Sequence, residues 1–535
     1  MKGNYLYVFF LLLFSLSFVD CAKRGNPQGG ARDTIPPVIL KAVPENYSTN
    51  FKGNEITIEF DEYIKLKDLQ NQLVISPPLD NQPVITPFGT SKTLKIVIND
   101  TLKENTTYTI NFGSSIVDNN EDNSFDYFKY VFSTGSYIDS LKVLGTISDA
   151  LNLNPDEKVT VMLYEINEQF SDSVIYKNKP LYVASSQSAP GFFSIENIKE
   201  GDYLLVGLKD NNSNYKFDPK VDKIGFLEDP ISVPTDTSFN INLFKEVPDY
   251  SMVRLSSVNR QKLQFGYEGN VDSLQIELLN SKPSGFEYQI TKEKEKDTLN
   301  YWFTPIIETD SLSFKVSNRS KTDTLSVRLK EEETDSLVVS PLKTGTLLLN
   351  ESFMITASNP IVDFDKEHIQ IIDKDSAYVD FNIDFDSFHN TVNLQFEKEE
   401  RQVYTLNLYP ESITDFFGAV IDTLQFRTNT RSISDYGFLS LSLENVLEYP
   451  LIVQLVTESG EVRKEFYAED EQTTFNFEHI LPGMHYVRII YDTNKNGKWD
   501  TGSFLKKQQP ERVIYFPKLL DIRANWTLNE TFILE

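Results

Sequence analysis

Along much of the chain every second residue is apolar. Ile56, Ile58 and Phe60 alternate in "EITIEF", and Leu94, Ile96 and Ile98 in "LKIVI". Tyr108, Ile110 and Phe112 follow in "YTINF", then Phe128, Tyr130 and Phe132. Further on, Leu274, Ile276 and Leu278, then Leu312, Phe314 and Val316, then Leu325, Val327 and Leu329 repeat the pattern. A period of two places the apolar side chains on one face of an extended strand, which predicts half-buried strands. Clusters such as "PENYSTNFKGN" and "VDNNEDNS" separate them as turns. Only Glu62 to Gln72 reads as a turn or two of helix. Many short strands at this spacing predict an all-β protein of tandem β-sandwich domains. With 535 residues, about three to five domains are expected at roughly 100–150 residues each.

The N-terminus breaks the alternation. Lys2 precedes an apolar run from Tyr5 to Val19, short of the about 20 residues that span a bilayer. It reads as a secretory signal over residues 1–21. Cys21 is the only cysteine, so no disulfide forms within the chain. A lone cysteine closing an apolar leader resembles the lipid-attachment cysteine of bacterial lipoproteins. Residues 22–35, rich in Gly, Pro and Gln, read as a flexible tether.

The first sandwich carries a family resemblance. "DTIPPVILKAVPENYSTNF", "EITIEFDEYI", "NTTYTINF" and the closing "FSTG" resemble the bacterial Ig-like domain of surface-layer and envelope proteins, here over 36–136. "YTLNLYPESITDFFGAVIDTLQFRTNT" repeats its ending, which predicts a degenerate Ig-like copy at 339–432 without the opening Pro-Pro. A second repeat is longer. Shifted by 282 residues, "FSIENIKEGDYLLVGLKDNNSNYKFD" lies on "FNFEHILPGMHYVRIIYDTNKNGKWD" without a gap. The pattern resembles the small prealbumin-like sandwich of carboxypeptidase regulatory domains, which is non-catalytic, over 137–246 and 433–535. Residues 247–338 read as a further Ig-like unit, giving five beads in a row.

Both copies of the repeat end in letters that spell a calcium loop. Asp492, Asn494, Asn496 and Asp500 occupy positions 1, 3, 5 and 9, with Gly497 at the sharp turn. Asp210, Asn212, Asn214 and Asp218 repeat the spacing more weakly, with Tyr215 replacing the glycine. Position 12, a bidentate glutamate in a full loop, is Ser503 or Val221. Calcium is therefore the one candidate ion, and no cofactor is required. The same letters also serve plain turns, because Asp and Asn side chains bond nearby backbone N–H groups. Asp118, Asn120, Asp122 and Asp126 show the spacing inside the first Ig-like unit.

Asp followed by Ser or Thr and a small apolar residue recurs, and resembles the O-glycosylation sequon of exported Bacteroidetes proteins. Thr34, Thr101 and Ser140 are its candidate sites. Tether, Ig-like unit and sequon together resemble a Bacteroidetes envelope lipoprotein held on the outer membrane through its lipid, with the face left open. The net charge of -27 argues against nucleic acid and anionic lipid as partners. The four histidines, His368, His389, His479 and His485, make no close metal-binding pair, and no nucleophile elbow or phosphate loop occurs. The expectation is a non-enzymatic, lipid-anchored scaffold that docks on other envelope proteins, as part of an outer-membrane assembly or transport complex. The alternative is a surface adhesin or glycan-binding protein with calcium-braced loops.

Overall fold

The computed structural model describes residues 33–186, 191–271, 274–319 and 321–534. The leader, Cys21 and most of the tether lie outside them. The described chain is nearly all β, and its only helices are single turns. No described helix is long and apolar enough to cross a membrane.

Two compact units are present. The first holds residues 33–142 together with 181–184 and 196–199, and the second holds 143–180, 185–195 and 200–534. In the first, one sheet runs Ile39–Val43, Glu55–Leu66, Ser91–Val97, Val84–Thr86, and the other runs Val74–Ser76, Thr107–Asn111, Lys129–Ser133. The alternating residues meet between them: Ile56, Ile58, Phe60, Leu94, Ile96, Tyr108, Ile110, Phe112, Tyr130 and Phe132 are all buried. The expected helix at Glu62 to Gln72 is strand as far as Leu66. A bulge after Glu59 hands the strand from Ser91–Val97 to Ile116–Asp118, pairing Ile64 with Asp118 and burying the Ile64 side chain. Only Leu69–Gln72 forms a helical turn.

The second unit begins and ends with the repeated sandwich. In the later copy, Leu451–Thr457, Gly483–Tyr491 and Val513–Tyr515 form an antiparallel sheet, and Leu520–Ile522 pairs the near end of the central strand. Thr527–Ile533 closes the other sheet by running parallel to Gly437–Glu444. In the earlier copy, Thr160–Glu165, Gly201–Lys209, Lys223–Phe226 and Ile231–Val233 repeat the first arrangement, and Ser238–Leu243 repeats the parallel closure on Leu141–Asp149. The backbone follows the same path: Asn197, Ser213 and Tyr215 hold positive φ, as do His479, Lys495 and Gly497, each 282 residues later.

Two more sandwiches lie between the copies. Ser251–Asn259, Lys262–Glu268, Thr298–Thr304 and Glu287–Lys292 face Gln275–Leu278, Ser311–Asn318 and Lys321–Arg328 across a core of Phe265, Tyr301 and Phe314. The next opens at Val339–Pro341, the strand that the missing Pro-Pro leaves undefined in the sequence. Its likeness to the first Ig-like sandwich reaches single hydrogen bonds. The Tyr108 hydroxyl accepts the Lys103 N–H at 2.8 Å, and the Tyr404 hydroxyl accepts the Glu399 N–H at 2.7 Å. Thr134 donates to the Lys103 carbonyl as Thr430 donates to that of Glu399. This is the local tie by which a tyrosine at a strand start fixes the preceding corner of an Ig-like sandwich.

Candidate functional site

The central strand of each repeated sandwich runs directly into its Asp/Asn turn. In the later copy, the carboxylate of Asp492, 1% exposed, faces back into the turn. Its Oδ1 accepts the Asn496 N–H at 3.1 Å and its Oδ2 the Gly497 N–H at 2.7 Å. Asn494 and Asn496 are exposed, and both point their amide Nδ2 at Asp500 Oδ2, at 2.5 and 2.6 Å. Gly497 has φ +74°, the left-handed conformation that a glycine adopts without a Cβ penalty.

The residue that closes the turn is one that the calcium spacing does not include. Glu511, 7% exposed, accepts the Thr493 N–H through Oε1 at 2.7 Å and the Asp500 N–H through Oε2 at 3.0 Å. Its Oε1 also takes the Thr493 hydroxyl, and its backbone carbonyl takes the Trp499 indole N–H at 3.1 Å. One buried carboxylate thus holds both ends of the turn.

The earlier copy repeats the closure with Asp222, which is fully buried. Its Oδ1 accepts the Asn211 N–H and its Oδ2 the Asp218 N–H, each at 2.9 Å. Strand register makes the two carboxylates equivalent. Val206 pairs Phe226 as Arg488 pairs Tyr515, and stepping back four residues from each partner reaches Asp222 and Glu511. A sequence signal was available: "DKIGF" and "ERVIY" align once a gap is admitted after the aspartate at position 9.

The copies differ at the head of the turn. Asp210 Oδ2 accepts the Tyr215 N–H at 2.6 Å. Its Oδ1 is buried without a donor in hydrogen-bonding geometry among the described residues. Burial first, and the nearby Asp222 carboxylate as well, push the Asp210 carboxyl above its ordinary range. Among the described residues no group of three or more His, Cys, Asp or Glu side chains is arranged to hold a metal ion.

The same device appears in the first unit without any repeat of the sandwich. Asp118 accepts the N–H groups of Asn120, Glu121 and Asn123. Burial pulls its carboxyl upward, yet these backbone donors leave it below its ordinary range.

The other candidates are dispersed. The hydroxyl-bearing residues Thr34, Thr101 and Ser140 are all exposed. His368 is half-buried and His389 exposed, and they are bonded to Asp365 and Asp386. His485 is buried with Nδ1 bonded to the Gly483 carbonyl, and burial lowers its pKa. Trp302 is buried, with its indole N–H on Thr291.

Residues 33–134 match the bacterial Ig-like domain family. No curated protein matches the chain. Among solved structures, the S-layer protein rSbsC(31-844) is 12% identical, with 91% of this chain and 67% of that chain covered and a TM-score of 0.16. Tandem Ig repeats of Dlar are 11% identical, covering 35% of this chain and 100% of theirs, with a TM-score of 0.14.

Proposed function

We propose that the protein is a non-enzymatic scaffold of the cell envelope, anchored by a lipid on Cys21 and docking other envelope proteins on its β-sandwiches. The observation that carries this reading is the repetition of one sandwich 282 residues later, each copy preceded in the chain by a sandwich with the same tyrosine tie, which multiplies rigid surfaces and sheet edges. The bacterial Ig-like match at 33–134 supports it. The test is affinity isolation of the tagged full chain from detergent-solubilised membranes of the source cells. Stoichiometric protein partners are expected, together with a shift to the soluble fraction for Cys21→Ser. Binding to a glycan array with no protein partner would replace this reading with the adhesin.

One observation favours a part for calcium. Asp210 Oδ1 is a buried carboxylate oxygen without a donor, beside the Asp222 carboxylate, and a divalent cation would compensate both charges. Asp210 would hold it through Oδ1, with the amide oxygens of Asn212 and Asn214 beside it, and the ion would brace the turn and do no chemistry. In the later turn both oxygens of Asp492 and of Glu511 already accept hydrogen bonds. Calorimetric titration of the full chain with calcium, repeated on Asp210→Asn and Asp492→Ala, separates the two turns. Loss of binding in Asp210→Asn alone is expected, and heat unchanged in both variants removes the ion from the account.

A further inference from the structure

Between the ninth turn position and the closing carboxylate, the earlier copy has three residues, 219–221, and the later copy has ten, 501–510. The seven extra residues make no part of the later copy's own core, which takes Tyr491, Ile514 and Phe516 from this stretch and none of 501–510. They lie on the earlier copy. Phe504 is fully buried, with its ring edge-on to Phe226 at 5.1 Å and to Tyr176 at 6.5 Å. Glycine is required beside it: a Cβ on Gly502 would stand 2.6 Å from the Gln508 carbonyl of the insertion itself and 2.7 Å from the Phe244 ring. Polar contacts surround the aromatic plug. The Thr501 hydroxyl donates to the Lys245 carbonyl at 2.7 Å, Gln509 Nε2 donates to the Phe226 carbonyl at 2.9 Å, and the Phe504 N–H donates to Glu246. Lys507 pairs with Asp172 at 2.6 Å.

A second patch continues the seam on the sheet itself. Arg488 stands where the earlier copy has Val206. It is buried on the outer face, with Nε on Gln454 and Nη1 on the Leu151 carbonyl at 3.2 Å. The Tyr515 hydroxyl reaches the same carbonyl at 2.9 Å. A buried guanidinium needs such acceptors, because an unsatisfied one is costly.

We propose that residues 501–510 are a docking element whose partner is the earlier copy of the same module in the same chain. The duplicated sandwiches have become complementary: one carries the aromatic plug, the other the socket of Tyr176, Phe226 and Phe244. The four sandwiches between residues 143 and 534 fold back so that the first of them meets the last.

The test is zero-length carbodiimide cross-linking of the full chain in detergent, prepared as a mixture of light and heavy nitrogen protein. Lys507 and Asp172 are both solvent-accessible. The expected product joins their peptides within one isotopic form, with Lys343–Glu351, 2.7 Å apart in the fourth sandwich, as the control. Phe504→Asp and, separately, Gly502→Val are expected to reduce the 507–172 product at least tenfold and to leave the control unchanged. Two variants guard against misfolding of one, and loss of the product joining Lys518 to Glu530, a pair within the later copy, identifies it. A product of mixed isotopes, no product beside a normal control, or a product unaffected by both folded variants would overturn the proposal.

Discussion

The two Asp/Asn turns share a backbone and a closing carboxylate but divide their labour differently. The later turn spells calcium more fully, with its glycine in place, yet its carboxylates are committed to N–H groups of the turn. The earlier turn spells it poorly, with Tyr215 at φ 59°, and keeps an oxygen of Asp210 without a donor. In both turns the letters at alternate positions supply acceptors for the turn's own amides. What is common to both copies is the distant carboxylate, Asp222 or Glu511, which the calcium spacing passes over.

Removing that carboxylate tests the comparison most severely. Asp222→Ala or Glu511→Ala leaves two part-buried N–H groups without their carboxylate acceptor, at a cost of about 1–2 kcal/mol each. A loss of about 2–4 kcal/mol from the affected sandwich is expected by urea denaturation with hydrogen exchange to localise it. A change below about 1 kcal/mol in both would show that the turns close without their clasp.

A smaller effect separates the heads of the turns. Gly497→Ala puts a Cβ on a left-handed residue with open space around it, so only backbone strain opposes it. A cost of about 1 kcal/mol is expected from thermal melts. No cost would mean that the later turn relaxes away from the path it shares with the earlier one.

The smallest effect has a sign that depends on pH. The Asp210 carboxyl is raised, so the folded chain holds its proton more tightly than the unfolded chain. Its contribution favours folding below the ordinary carboxylate range and is lost as pH rises through the raised folded value. Asp210→Asn is neutral at every pH and retains an oxygen for the Tyr215 N–H. In chelator, the variant is expected to melt slightly higher than the parent at neutral pH. The gain should vanish as pH falls into the carboxylate range. With calcium in place of chelator the order reverses if the ion is held there. Melting curves across that pH range, with and without calcium, read both.

Strands were the legible part of this sequence. Ile56, Ile58 and Phe60 alternate because one face of each sheet is buried and the other wet, and that is a local property. Glu62 to Leu66 misreads as helix because its pairing partner, Ile116–Asp118, is distant in the chain. The turn residues were found but not their clasp: Glu511 lies beyond any fixed loop window, and an insertion conceals its equivalence to Asp222. The plug at Phe504 has no local signature. Its socket is formed by residues more than two hundred positions earlier, and only packing joins them.

The seam between residues near 151–246 and 488–515 also sets how the chain would bear tension. A pull between the two repeated modules is taken first by Phe504, the Lys507–Asp172 pair and the bonds to the Leu151 carbonyl. The two sandwiches at 247–432 lie on the covalent path in parallel with the seam. They would feel stretch only after the seam gives way, and their length would then become reserve extension.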